Sequence, residues 1–126
     1  MQMEIKSYED LQVWQEAMRL VELVYCVQRR FPKEEVYGLG DQVRRAAVSI
    51  PSNIAEGFGR DTKSDFIHFL IMARGSLFEL RTQLEIAHRV GYIEDVSADS
   101  ELSGVLASVG RMINAFVSKL RTSTHK

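Results

Sequence analysis

Cysteine is nearly absent from this chain. Cys26 is the only one, so no disulfide can form within the chain and no cysteine-based zinc site can be built. That usage fits a reducing cytoplasm. Proline is scarce as well: Pro32 and Pro51 are the only two, which leaves room for long helices. No apolar run reaches the ~18 residues of a membrane-spanning helix. The opening MQMEIKSYEDLQVW lacks the apolar centre of a secretion signal. A membrane is therefore not expected as a partner. An excess of one charge is missing too. Lysine and arginine number 16 against 17 acidic residues, a formal net charge of −1. The charges are spread evenly, so no basic arm points to nucleic acid by composition alone.

What is present suits one folded domain over residues 1–126. The apolar share of 45% and the charged share of 26% are ordinary for a globular chain long enough to bury a core. Ser7, followed three positions on by Asp10, is a near capping box that opens the first helical pattern. Apolar residues then recur at Val13, Ala17, Leu20, Val24, Val27 and Phe31. A second stripe lies beside it: Leu11, Trp14, Met18, Val21 and Tyr25. One stripe suffices to face a core. Two make an apolar arc wider than a helix of a small monomeric bundle normally buries. Pro32 ends this helix. The next pattern carries Leu39, Val43, Ala46, Ala47, Ile50 and Ile54, with Pro51 inside it to kink or open the preceding turn. Asp61 or Thr62 caps a third helix with a clean heptad from Phe66 to Ala87, which Gly91 closes. A fourth stripe runs from Leu102 to Leu120. The spacing predicts helices at about 8–31, 39–59, 62–90 and 97–121, with a frayed tail at 122–126. Nothing alternates with period two. Short links between four long helices predict an all-α fold, an antiparallel up-down-up-down four-helix bundle.

Catalytic chemistry finds little support. Glu85-Ile86-Ala87-His88 has the Glu-x-x-His spacing of di-iron bundles, but such a site needs that pair on two helices. One copy exists, and Glu85 and His88 flank the heptad stripe. Cys26, among apolar neighbours, reads as an inert packed thiol. Ser76 next to Gly75 sits inside a helix, where no nucleophile elbow forms. Gly38-Leu39-Gly40 and Gly57-Phe58-Gly59 have no strand before them and read as helix ends rather than phosphate cradles. The expectation is no enzyme, no metal, no cofactor and no small-molecule substrate.

The most marked segment is Gln42–Arg60, QVRRAAVSIPSNIAEGFGR, crowded with small residues. Ala73-Arg74-Gly75-Ser76 follows on the next helix. Small residues on consecutive helices let backbones approach closely, and charges in such a seam must be paired. Arg44, Asn53, Glu56, Arg74 and Glu79 are therefore expected to form a structural ion network, with Arg74 paired to Glu56 or Glu79. Asn53 is expected to satisfy the carbonyl that Pro51 leaves without a donor. Basic residues gather at three places: Arg29, Arg30 and Lys33 with Arg44 and Arg45; Arg60 and Lys63; and Lys119, Arg121 and Lys126 at the end. Each patch is small, whereas phosphate binding recruits many charges. A ring of identical subunits would multiply them.

Three blocks carry a family resemblance. They are Asp10-Leu11-x-Val13-Trp14-Gln15-x-Ala17, Gln42-x-Arg44-Arg45-Ala46-Ala47-x-Ser49-Ile50-Pro51-x-Asn53-Ile54-Ala55-Glu56-Gly57, and Ala73-Arg74-Gly75-Ser76-Leu77-x-Glu79-Leu80, with Gly91-Tyr92-Ile93 after them. The pattern resembles the four-helix bundle proteins encoded by intervening sequences of bacterial 23S ribosomal RNA genes, over about residues 5–120. A related member is the accessory variability determinant of diversity-generating retroelements, a homopentameric barrel that binds a reverse transcriptase and nucleic acid. The resemblance implies a bundle, a homopentamer in the form of a ring, an RNA or nucleoprotein partner, and no enzymatic activity. The retroelement relatives are markedly basic, which places this chain with the ribosomal branch. A structural or scaffolding homo-oligomer that binds a protein partner, without direct nucleic-acid contact, is the alternative.

Overall fold

The computed structural model describes residues 4–123. Four α-helices make up the fold: α1 (Gln12–Gln28), α2 (Leu39–Phe58), α3 (Lys63–Arg89) and α4 (Ser100–Thr122). Single 3-10 turns stand at Tyr8–Asp10, Lys33–Glu35 and Val96–Ala98, and no strand occurs among the described residues. Helix α1 packs against α2 and α4, and α3 packs against the same two. The backbones of the diagonal pairs stay farther apart among the described residues. The helices therefore stand at the corners of a square around one contiguous core.

Each helix buries the stripe its spacing marks. Val13, Ala17, Leu20, Val24 and Val27 of α1 are buried, as is Phe31 beyond its end. In α3 the heptad from Leu70 to Ala87 is buried, while Phe66 packs against the core from its edge. In α4 Leu102, Leu106, Val109 and Ile113 are buried; Val105 and Val117 join them, and Phe116 and Leu120 remain partly covered. A fully buried leucine or isoleucine contributes roughly 1.5–3 kcal/mol. The core is thus a sum of many such terms from all four sides.

The helix ends differ from expectation for local reasons. The Ser7 and Asp10 capping box forms, but it closes a single 3-10 turn. Leu11 then takes an extended conformation, with ψ of 126°, so α1 starts at Gln12. The same helix stops at Gln28 because tighter turns follow: Arg30 N–H donates to Val27 and Phe31 N–H to Gln28. The residue before a proline disfavours the helical region, and Pro32 follows directly. Thr62, rather than Asp61, caps α3 by accepting from Asp65 N–H. Asp95 caps the Val96–Ala98 turn, and Asp99 then caps α4, which delays that helix to Ser100. Gly91 ends α3 with φ of 89°, a conformation favouring glycine. Helix α2 runs through Pro51, which is buried. The last helical residue is Thr122, inside the stretch expected to fray, and residues 124–126 lie outside the described residues.

Long-range contacts tie the links together. At one pole Tyr92 Oη, after α3, donates to Glu35 Oε2, before α2, at 2.6 Å. Glu35 Oε1 also accepts from Leu39 N–H at 3.0 Å, which satisfies a donor at the start of α2. At the other pole Lys63 Nζ donates to the carbonyl of Ser123 at 2.6 Å. There Phe66 stacks edge-on against both Phe58 and Phe116, so one aromatic cluster joins α2, α3 and α4. Arg19 of α1 pairs with Glu101 of α4 at 2.7 Å.

The closest approach lies between α2 and α3. A Cβ built on Gly57 would stand 2.7 Å from Phe69 Cβ and 3.3 Å from the Phe66 carbonyl. Gly104, in α4, has nothing within 4 Å of such a position. Alanine is favoured over glycine in a helix by about 1 kcal/mol. Gly104→Ala is therefore expected to raise stability by about 0.5–1 kcal/mol, whereas Gly57→Ala forces the helices apart and lowers it by about 1–3 kcal/mol. Denaturant unfolding of both variants checks the opposite signs.

The Glu35–Tyr92 bond generates a pH dependence. The Tyr92 hydroxyl, then the Leu39 N–H, hold the Glu35 carboxyl below its ordinary value of 4.5. The same bond raises Tyr92 above its ordinary 10.0. Glu35 thus contributes stability present above pH 4.5 and lost as pH falls through its lowered value. Tyr92 contributes below pH 10.0, and that is lost as pH rises through its raised value. Tyr92→Phe is expected to weaken both losses and to return Glu35 towards its ordinary titration. An NMR titration of the Glu35 carboxyl carbon measures this; an unmoved midpoint would show the bond to be absent in solution.

Candidate functional site

The expected ion network does not assemble within the chain. Arg74 Nη1 donates to Asn114 Oδ1 on α4 at 3.0 Å, not to Glu56 or Glu79. Glu56 instead accepts from Arg60 one turn on, at 2.9 Å. Glu79 is exposed, with no ion pair among the described residues. The outer positions of α2 and α3 reach solvent even where the inner seam is tight, so these charges need no common partner. Asn53 Nδ2 donates to the Ser49 carbonyl at 2.8 Å. The carbonyl whose helical donor Pro51 removes is that of Ala47, two residues before Ser49, so the expected pairing is off target.

Arg44 has a different role from its neighbours. Its Nη1 donates to Gln28 Oε1 at 2.6 Å and its Nη2 to the Val36 carbonyl at 2.7 Å. One half-buried guanidinium thus ties the end of α1 and the following link to the start of α2. Arg45 pairs with Asp41 on its own helix at 3.0 Å and keeps its side chain 81% exposed.

The remaining basic residues fall into two polar groups. Arg29, Arg30 and Lys33 are exposed near the α1–α2 link, beside Arg44 and Arg45. Arg30 there shares the edge of a cleft with Glu94, Asp95 and Asp99. At the opposite pole the Lys63–Ser123 bond brings the end of α4, with exposed Lys119 and Arg121, beside Arg60 and Lys63. Arg60 also lies over the Phe69 ring, 4.7 Å from its centroid. Lys126 lies outside the described residues.

Other single residues resolve plainly. Cys26 is exposed, not packed, because it falls on the outward side of α1. Glu85 pairs with Arg89 at 2.8 Å, and His88 Nδ1 stands 3.2 Å from the Ile93 carbonyl. Of the second α1 stripe, Leu11 is buried, Trp14 and Val21 are partly covered, and Met18 and Tyr25 are each 38% exposed.

A feature the residue pattern did not single out is an open cleft of about 650 Å³ over the first half of α2. Tyr25 of α1, Arg45 and Ser49 of α2, and Ser76, Glu79 and Gln83 of α3 line it. Gln83 is the one buried polar side chain among the described residues, at 7% exposure, and its Oε1 has no hydrogen-bond partner there. The signal was present: Gln83 sits three residues after Leu80 and four before Ala87, on the buried side of α3.

Relatives now place the fold. A crystal structure of a protein of unknown function from the S23 ribosomal protein family of Bacteroides thetaiotaomicron superposes with a TM-score of 0.73 at 19% identity, over 83% of this chain and 97% of that one. This likeness concerns the fold. No curated protein matches the sequence. The 23S rRNA-intervening sequence protein family matches residues 9–115, most of the chain. The chain belongs to the family of 23S rRNA-intervening sequence proteins.

Proposed function

We propose that the protein is a non-catalytic, cytoplasmic RNA-binding bundle that assembles into a homopentameric ring. The helices would run antiparallel, up-down-up-down, which agrees with the Tyr92–Glu35 bond at one pole and the Lys63–Ser123 bond at the other. Assembly is supported by apolar side chains left open on diagonally placed helices. Met18 is 38% exposed on α1, and Phe78 and Ile86 are 57% and 44% exposed on α3. Two different patches on one subunit suit a head-to-tail contact, which closes into a ring when the rotation permits.

The observation that carries RNA binding is the meeting of Arg60 and Lys63 with the end of α4, where Lys119 and Arg121 are exposed. One such group is small, but a ring repeats it. The other reading, a scaffold for a protein partner, is favoured by the acids that already pair with Arg45 and Arg60.

The test has two parts. Light scattering is expected to give the mass of a pentamer, and Phe78→Glu to give a folded species of lower mass. Titration with structured RNA at two salt concentrations is expected to show binding that weakens steeply with salt. Replacing Lys119 and Arg121 together by Gln should lower both affinity and salt slope. Absence of binding at low salt would leave the scaffold reading standing.

A further inference from the structure

We infer that the cleft over α2 is a pocket for one unpaired adenine base of the bound RNA; this rests on the RNA reading above. The charges around it favour a neutral ligand. Arg44 and Arg45 share the cleft lining with Asp41 on their own helix and Glu79 on α3, so the formal charges of the lining cancel. Arg44 is already committed to Gln28 and Val36, and Arg45 Nε to Asp41. A phosphate would find no free convergent cations on the floor. A planar, uncharged group with several hydrogen-bonding atoms would find the right surroundings.

Those surroundings have a definite chemistry. The Gln83 amide is 7% exposed and its Oε1 lacks a donor among the described residues. Leaving such a group unpaired in a protein interior is costly, and native proteins rarely do so. Adenine presents an amino donor beside a ring-nitrogen acceptor, the pattern that a glutamine amide meets with two hydrogen bonds. The terminal amide torsion is soft, so both of its atoms can turn to the base edge. Tyr25 supplies a half-open aromatic face at the rim, and unstacked RNA bases are held by stacking on such rings. Ala46, Ser49 and Ser76 are small, which leaves room in the cleft. At about 650 Å³ it lies within the usual range for small-ligand pockets.

The full-length oligomer is titrated with a short oligoadenylate, an oligouridylate of the same length, and a fully paired RNA hairpin. The expected order is oligoadenylate tighter than oligouridylate. Gln83→Leu should weaken oligoadenylate about tenfold or more while leaving the hairpin unchanged. Gln83→Leu should also melt at or above the temperature of the unaltered protein, since it removes an unpaired buried amide. Tyr25→Leu, at an exposed position, should weaken the same probe without unfolding the chain. Oligoadenylate affinity unchanged in Gln83→Leu, or lost equally for hairpin and single strand, would overturn the base pocket alone. Equal affinity for the two single strands would overturn the adenine assignment. Failure of the unaltered protein to bind any of the three would overturn the RNA reading itself, and the pocket with it.

Discussion

Helices α2 and α3 come together as closely as they do because Gly57 puts no side chain between them and Phe66 and Phe69. Interiors pack without voids, so a gap left by one missing Cβ is filled by moving the neighbouring backbone in. That approach places Phe66 where it can meet Phe58 and Phe116 at once. It also places the Phe69 ring beneath Arg60. The turn between α2 and α3 is therefore held by aromatic packing on its inner side and carries its charges on the outer side. Moving away from this contact, α2 and α3 keep small residues at Ala46, Ser49 and Ser76, and there the surface opens into the cleft.

At the other pole the constraint is polar. Arg44 bonds a side chain at the end of α1 and a carbonyl in the following link, while Glu35 in that link bonds Tyr92 and Leu39 N–H. Hydrogen bonds to charged groups contribute more than neutral ones. Their larger effect here is geometric: they hold two links in one arrangement where apolar packing alone would permit several. The chain thus uses an aromatic cluster to set helix spacing at one pole and charged hydrogen bonds to set link conformation at the other.

The stripes of α1 to α4 were legible because a 3.6-residue period leaves few ways to bury Leu20, Ile50, Leu77 or Ile113 together. The helix termini were less so. Asp10 and Asp95 each close a 3-10 turn ahead of a helix, and nothing in residue spacing distinguishes a cap on a short turn from a cap on a long helix. The charged residues of the marked segment were legible as a set but not as partners. Arg74 and Glu79 are both near the α2–α3 seam in sequence, yet five residues on a helix turn them to different sides, and Arg74 reaches Asn114. Cys26 is exposed although its apolar neighbours Val24 and Val27 belong to the buried stripe, because it falls between them on the outward side. Gln83 gives little signal in the sequence because one polar residue beside a leucine heptad changes the periodicity very little, whereas its burial changes the chemistry of the whole face.

For a chain of net charge −1, the proposed RNA binding would meet a particular problem. Affinity for nucleic acid comes mainly from neutralised phosphates, and specificity comes from contacts to bases. Few cations per subunit mean weak attraction unless copies act together, which would tie binding to assembly. The acids that pair with Arg45 and Arg60 would weaken attraction further but also limit indiscriminate binding. Under those conditions discrimination falls to neutral contacts, because they do not diminish with salt as phosphate contacts do. In the proposed pocket the buried Gln83 amide of α3 and the half-open Tyr25 ring of α1 would be contacts of that kind. Ring closure would then supply affinity by repetition, and the cleft would decide which unpaired base the repeated sites accept.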